Sequence, residues 1–150
     1  QLESLGLISV SKEGRSNIVT PQASGRALWD RSQASLRNPI VKESYIWRRD
    51  VPSGALTAGD SFLSAHANLA DGLIPTVAMK RSSLAEVERL DARWISEPAE
   101  MVRAEEWSYE PCLLGDGRDA DPLSVILTFG NTEDERIQGA IDRVLDEVFA

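Results

Sequence analysis

The pattern of apolar positions is most regular at the C-terminal end of the chain. Thr132 and Glu135 have the spacing of a capping box, which predicts where a helix begins. After them, apolar residues recur at intervals of three and four, which places them on one face of a helix. These residues are Ile137, Ala140, Ile141, Val144, Leu145 and Val148. The stripe predicts a helix that packs on its own domain or pairs with a second subunit.

The central part of the chain alternates between helical and strand-like patterns. Helices are predicted at residues 57–70 with a Thr57/Asp60 capping pair, at 83–90 with a Ser83/Glu86 capping box, and at 121–127 starting at Asp121-Pro122. Strands are predicted at residues 44–49, 76–79, 94–95 and 102–109. This mixed order predicts an α+β domain over residues 37–150, with a small mixed sheet flanked by helices.

Residues 1–36 follow a different pattern. The chain opens as if inside a helix, and Gly6 occupies the position of a left-handed C-terminal cap. A strand at residues 7–11, a polar tip at 12–17 and a return strand at 18–19 predict a hairpin, which Gly14 allows to reverse tightly. Thr20-Pro21 predicts the start of a further helix. A helix, a hairpin with a basic tip and a second helix form the second half of a winged helix.

These residues resemble a known family. The segments LESLGLISV and KEGRSNIVTPQASGRALWD are similar to the end of the recognition helix, the wing and the following helix of MarR-like winged-helix bacterial regulators. The chain departs from that pattern because Thr20 and Gly25 stand further apart than usual. The resemblance implies that residues 1–36 are the C-terminal part of a winged-helix DNA-binding domain. We expect most of the base-reading helix to lie upstream of Gln1.

The second part of the chain carries a looser resemblance. The segments AGDSFLSAHANLAD, WSYEPCLL and DPLSVILTFGNTEDERIQGAIDRVLDEV are similar to the C-terminal half of bacterial proteins described only as MarR-family or helix-turn-helix regulators. AbiEi-type antitoxins, in which a winged helix precedes a sensor domain and the pair represses its own operon, are a more distant likeness. The resemblance implies that residues 37–150 form a sensor or dimerisation domain of an antitoxin-like autorepressor.

The charge is divided unevenly along the chain. The net charge is -8, but residues 1–49 contain eight basic and four acidic residues, a net charge of +4, which leaves −12 for residues 50–150. This division indicates that only the first part meets phosphate. Lys12, Arg15 and Asn17 at the hairpin tip are the predicted DNA-binding residues, since a wing lies along the minor groove or the sugar-phosphate backbone. A hairpin used for protein contacts is the competing interpretation.

Catalytic chemistry is the main alternative function. A nuclease or nucleotidyltransferase-like domain would need clustered acids with a lysine, and Asp116, Asp119 and Asp121 form the one acidic cluster near Cys112. However, Ala78 stands where a second acid should precede Lys80. We therefore interpret Asp116 and Asp119 as turn residues and Asp121 as a helix cap, and predict no enzyme, no catalytic residue, no cofactor and no metal site.

Three further features each have a structural and a functional interpretation. In the segment Tyr45-Ile46-Trp47-Arg48-Arg49, the aromatic rings could stack on the bases of a single-stranded nucleic acid while the arginines contact its phosphates. In a β-strand of this kind, however, the aromatic side chains usually lie in the core. His66 is the only histidine and is interpreted as a hydrogen-bonding residue rather than a base. Cys112 is the only cysteine, which excludes an internal disulfide, and is interpreted as a packed residue rather than a redox sensor.

The prediction that follows is a DNA-binding transcriptional regulator with double-stranded DNA as its partner. The acidic domain would serve dimerisation or binding of a protein partner or small effector, and these roles stay open. No apolar run reaches the roughly 18–20 residues of a membrane helix, so we expect no membrane association and a cytoplasmic location.

Overall fold

The computed structural model describes residues 1–70, 72–91, 93, 96–115 and 117–150. The chain divides into two units, which we call unit 1 (Gln1–Arg37) and unit 2 (Asn38–Val148). The division falls one residue after the boundary expected from the sequence. The predicted α+β class is confirmed, because helices and two separate sheets make up the chain.

Unit 1 consists of a hairpin followed by a helix. Its strands are β1 (Ile8–Glu13) and β2 (Ser16–Pro21), and its helix is α1 (Gly25–Ser32). The prediction that Thr20-Pro21 begins this helix is wrong, since both residues pair with β1 at the base of the hairpin. Pro21 is tolerated there because β2 is an edge strand of a two-stranded sheet. The helix begins instead after Ser24, its N-cap residue.

Unit 2 is built on a four-stranded mixed sheet in the order β3-β6-β5-β4. The strands are β3 (Ile40–Trp47), β4 (Leu56–Thr57), β5 (Thr76–Lys80) and β6 (Met101–Trp107). The central strand β6 pairs antiparallel with β3 and parallel with β5. Its helices are α2 (Gly59–Ala67), α3 (Pro122–Thr128) and α4 (Glu135–Val148).

The sheet is covered on both faces. On one face a core cluster joins β3, β5 and β6 to the segment that follows β5: Ile46, Met79, Leu84, Val102 and Ala104. Side chains of successive strand residues alternate between faces, so Arg103, Glu105 and Trp107 of β6 point to the other face. Helix α2 contacts β5 and also packs against α3 and α4. The sheet therefore lies between an irregular segment and a helical layer.

The residues predicted to form a helix at 83–90 are not helical: residues 81–86 form turns, and Leu90 forms an isolated bridge with Tyr45. Ser82 adopts a left-handed conformation at φ 74°, and its backbone N–H donates to the buried carboxylate of Glu106 at 2.9 Å. At the other end, the N–H of Leu90 donates to the carbonyl of Tyr45 in β3 at 2.7 Å. These tertiary hydrogen bonds compete with the local Ser83/Glu86 pattern, which is why the capping-box prediction is wrong.

Two other predicted caps are also wrong. Thr57 does not cap α2, because it pairs with Val77 of β5, and the helix starts after Ala58 without a side-chain cap. The end of α2 comes earlier than predicted, at Asn68, which is left-handed with φ 53°. At α4, Asp134 rather than Thr132 accepts from a first-turn backbone N–H, that of Arg136 at 2.9 Å.

Several predictions agree with the structure. Asp121 caps α3, since its Oδ2 accepts from the N–H of Ser124 at 2.8 Å. The stripe of α4 buries Ala140, Ile141, Val144 and Leu145, whereas Val148 at its end is 40% exposed. The strand predicted at residues 94–95 lies outside the described residues. None of the helices in the described ranges has the length and apolar character needed to cross a membrane.

Candidate nucleic-acid interface

The first residues of unit 1 end in a helix-terminating motif. The N–H of Gly6 donates to the carbonyl of Glu3 at 3.0 Å, and the N–H of Leu7 donates to that of Leu2 at 3.1 Å. Gly6 has φ 68°, a conformation that costs glycine little. This pair of bonds around a left-handed residue is the Schellman arrangement found at helix C-termini. It directs the chain from a helical turn into β1.

The hairpin is regular and projects a two-residue loop. Its register runs from Ile8 opposite Pro21 to Glu13 opposite Ser16, so that Gly14 and Arg15 form the loop. Gly14 has φ 63°, and a positive φ at the first loop position is the geometry for which tight hairpins use glycine. Every residue from Ser9 to Gln22 is exposed. The loop and the adjoining strand ends are therefore accessible.

The three predicted DNA-binding residues lie together at this tip. Lys12 and Asn17 are directly opposite each other across the two strands, and Arg15 is in the loop between them. Their side chains form no hydrogen bond or ion pair within the described part of the chain. By contrast, Arg26 of α1 donates to Asp30 at 3.0 Å. Neither cation is held in an ion pair with a described residue, although Glu13 beside Lys12 leaves residues 12–17 with two bases, one acid and a net charge of +1.

The structure favours a structural role for the Tyr45–Arg49 segment over a surface that binds single-stranded nucleic acid. Tyr45 and Trp47 are half-buried in β3, on the face opposite the buried Ile46. The guanidinium of Arg49 lies over the ring of Trp47 at 5.4 Å, and Arg48 Nε donates to the carbonyl of Ala99 at 3.1 Å. Both arginines therefore have internal partners, and the aromatic rings do not form an open stacking platform.

Among the acidic residues near Cys112, the two that the structure describes, Asp119 and Asp121, have different partners. Asp121 caps α3 and also accepts from the hydroxyl of Ser124 at 2.7 Å. Asp119, interpreted from the sequence as a turn residue, instead has a tertiary partner, His66 Nε2 at 3.0 Å. Asp116 lies outside the described residues, and Cys112 is exposed rather than packed, which corrects its interpretation. Among the described residues, no group of three or more His, Cys, Asp or Glu could hold a metal ion.

Two buried glutamates of β6 were missed by the sequence reasoning. Glu106 is 3% exposed and accepts from Ser82 N–H at 2.9 Å and from Arg89 Nη2 at 3.3 Å. Glu105 is fully buried, and burial raises its pKa above the usual value. One sequence feature could have indicated them: two adjacent acids, Glu105 and Glu106, lie inside a strand whose two ends are apolar.

The charges around Glu105 involve both neighbouring elements. Arg103, on the same face of β6, has its Nη2 2.7 Å from Oε1 of Glu43 and 3.5 Å from Oε1 of Glu105. Glu43 stands opposite Glu105 across β3 and β6, and Asp60 of α2 is near enough to raise the pKa of Glu105 further. Arg103 therefore bridges the carboxylates of two acids that stand opposite each other, and its charge offsets their repulsion.

Comparison with family models, curated proteins and solved structures finds no match to this chain.

Proposed function

We propose that this chain belongs to a DNA-binding transcriptional regulator, with the hairpin of unit 1 as its wing. The observation that carries the proposal is the pair of cations without ion-pair partners in the described part of the chain, Lys12 and Arg15, at the tip of an exposed hairpin. The Schellman motif before the hairpin and α1 after it give the order of elements found in the second half of a winged helix. The resemblance of these residues to MarR-like regulators supports the same assignment.

The chemistry of the tip suits the DNA backbone better than base edges. A two-residue loop with flanking Lys12 and Asn17 is narrow, and lysine and arginine contact phosphates or enter a narrow minor groove. The acidic unit 2 repels phosphate at long range, which favours approach of DNA through unit 1. In this function the wing supplies affinity and register, while base reading belongs to a recognition helix.

Unit 2 would provide regulation in this proposal. Winged-helix regulators commonly bind two half-sites as dimers, so a dimerisation or sensor role for an acidic α+β domain is consistent with the architecture. An antitoxin-like autorepressor is the specific form that we favour, from the looser resemblance of residues 37–150. Such a protein would bind the DNA upstream of its own gene.

The test is a salt titration of binding to two duplexes, one of random sequence and one from upstream of the chain's own gene. Each lost phosphate contact lowers the slope of log K against log salt by about 0.9. Lys12→Ala with Arg15→Ala should therefore weaken binding to both duplexes and reduce the slope by nearly two. A charge-matched control, Lys42→Ala with Arg81→Ala in unit 2, should leave the slope within about half a contact of wild type.

Two results would contradict parts of the proposal. Absence of binding to either duplex at low salt by the full-length wild-type protein, with the recognition helix expected upstream of Gln1 included, would end the regulator hypothesis. Equal losses in the tip variant and the control would show that net charge, rather than the hairpin, determines binding. A large loss on the upstream duplex alone would show that the tip reads sequence, contrary to the backbone role argued above.

A further inference from the structure

Unit 2 contains a cavity of about 270 Å³ between α2, the loop before α3 and the last turns of α4. Its lining includes Phe62, His66, Leu114, Asp119, Val144 and Glu147. This volume lies just below the roughly 300–1,000 Å³ of most small-molecule sites. The cavity is large enough for a compact organic ligand and too small for a peptide.

One wall of the cavity is a positioned pair of polar side chains. His66 Nε2 and Asp119 Oδ2 are 3.0 Å apart, although 53 residues separate them in the sequence. The imidazole stacks on Phe62, with ring centroids 4.4 Å apart. Asp119 is held from behind, because Thr57 forms a parallel bridge with it and accepts from the N–H of Ala120 at 2.9 Å. The backbone at Asp119 is thus anchored, and the hydrogen bond between His66 and Asp119 holds the two side chains against each other.

The charge of the lining selects the sign of a ligand. Asp119 and Glu147 supply two carboxylates, and none of the described residues that line the cavity is a lysine or an arginine. His66 adds a positive charge only when it is protonated. An anion would meet two like charges in a partly enclosed space, whereas a cation would be attracted to both.

The mouth of the cavity is apolar. Leu114 is 66% exposed and Val148 is 40% exposed, and both contribute to the lining, above the buried Phe62 and Val144. Single exposed apolar residues need no explanation, but two at the mouth of one cavity give a ligand apolar surface to cover. A ligand that matches this lining has a positive charge at one end and an apolar body at the other.

We propose that this cavity binds a small primary amine with an apolar body. Its ammonium group contacts Asp119 and Glu147, and its body covers Leu114 and Val148. A suitable probe is 2-phenylethylammonium, which joins one ammonium group to one compact aromatic ring. The binding site does not depend on the DNA-binding proposal; only its use as an effector site rests on that function, and the experiment below contains no DNA.

The imidazole of His66 provides the readout, because the chain has one histidine and its ring proton signals are therefore unambiguous by NMR. Titration with 2-phenylethylammonium should shift these signals saturably, with a Kd of about 1 mM or lower. Phenylacetate, which has the same body and the opposite charge, should bind at least about tenfold more weakly because of the two carboxylates. Ethylammonium, which lacks the apolar body, should also bind at least about tenfold more weakly.

Variants locate the site. Glu147→Gln removes one carboxylate from an exposed position and should weaken 2-phenylethylammonium at least about fivefold, as should Asp119→Asn. Glu133→Gln, an exposed glutamate outside the cavity lining, is the matched control and should leave the Kd unchanged. Melting curves establish whether each variant is folded. If Asp119→Asn does not fold, the Kd of Glu147→Gln alone tests the location of the site.

The proposal is overturned by any of three results. The first is no saturable shift of the His66 signals up to about 10 mM amine. The second is binding of phenylacetate as tight as that of the amine. The third is an unchanged Kd in folded Glu147→Gln.

Discussion

Glu105 accepts a hydrogen bond of 3.1 Å from the indole nitrogen of Trp107, two positions along the same strand and on the same face of the sheet. The second carboxylate oxygen, Oε1, has no hydrogen-bond partner among the described residues, and the Arg103 guanidinium lies 3.5 Å from it. Ionising a fully buried carboxylate is costly when one of its oxygens accepts no hydrogen bond. Desolvation accordingly raises the pKa of Glu105 in the folded protein.

This arrangement predicts a pH dependence of stability. Because the pKa of Glu105 is higher in the folded than in the unfolded chain, the folded state retains a proton after the unfolded state has lost it. Glu105 therefore makes the free energy of unfolding fall as pH rises from the unfolded pKa through the folded pKa. Glu105→Gln should remove this contribution, so the stability of the variant relative to wild type should increase with pH, by at most about 1.4 kcal/mol per pH unit.

The measurement is urea unfolding of both proteins between pH 4 and pH 8. Glu88→Gln, an exposed glutamate of the same unit, is the control and should run parallel to wild type. Parallel curves for Glu105→Gln and wild type would mean that Glu105 titrates alike in the folded and unfolded chain.

A pair of glycines gives opposite predictions for the same substitution. Gly59 has φ 51°, and a Cβ there would lie 2.8 Å from Cγ2 of Thr76. Gly59→Ala should destabilise unit 2 by about 1–2 kcal/mol from the backbone conformation, with the contact adding to that loss. Gly139 is inside α4, and a Cβ there would meet nothing within 4 Å. Gly139→Ala should stabilise by about 0.5–1 kcal/mol.

Thermal unfolding of the two variants checks this prediction, since each kcal/mol corresponds to about 2–4 °C for a chain of this size. A stabilised Gly59→Ala would show that the start of α2 relaxes without loss. A destabilised Gly139→Ala would show that something covers this position of α4.

The buried stripe of α4 should be essential for the stability of unit 2. Leu145 is 4% exposed, whereas Val148, one turn later, is 40% exposed. Leu145→Ala should lower the free energy of unfolding by about 2–5 kcal/mol, because it removes buried methyl groups and leaves a cavity. Val148→Ala should cost under about 1 kcal/mol, because a partly exposed side chain loses less burial. Similar losses in both variants, measured by denaturant unfolding, would contradict the observed orientation of the helix.

Purified protein should show no Mg²⁺- or Mn²⁺-dependent cleavage of DNA or RNA and no nucleotide transfer. The structural reason is that Asp121 and Asp119 are engaged separately, with the α3 N-terminus and with His66. Asp121→Asn preserves helix capping and is therefore the sharpest variant for the test. Metal-dependent activity in the wild type that disappears in folded Asp121→Asn would refute the expectation of a non-catalytic domain.

The features that could be predicted from the sequence are those determined by neighbouring residues. The stripe of α4 and the Asp121-Pro122 start of α3 are local patterns, and the structure confirms both. The hairpin tip with Lys12, Arg15 and Asn17 is also local, because a two-residue loop at Gly14 sets its register. The function assigned to that tip remains a prediction.

The features that could not be predicted depend on residues distant in the sequence. The segment at 83–90 is shaped by Glu106, more than fifteen residues away, whose carboxylate accepts from Ser82. Thr57 has the composition of a helix cap, but it is used as a strand residue because β5 pairs with it. The His66–Asp119 pair joins two elements whose proximity no local pattern encodes. Each case is a tertiary interaction that outweighs a local propensity.

The strand order has a consequence for the order of events during protein synthesis. Strands β3 and β5 both pair with β6 and not with each other. Because β6 is the last of the four strands in the sequence, the strand that joins the other two is synthesised last. Until Trp107 has emerged, β3 lacks its partner strand, and Ile46 cannot yet pack against Val102 and Ala104. Closing such long-range contacts is slow because loop closure precedes the gain from pairing. A nascent chain arrested before β6 should therefore expose the apolar side of β3 and depend on chaperones.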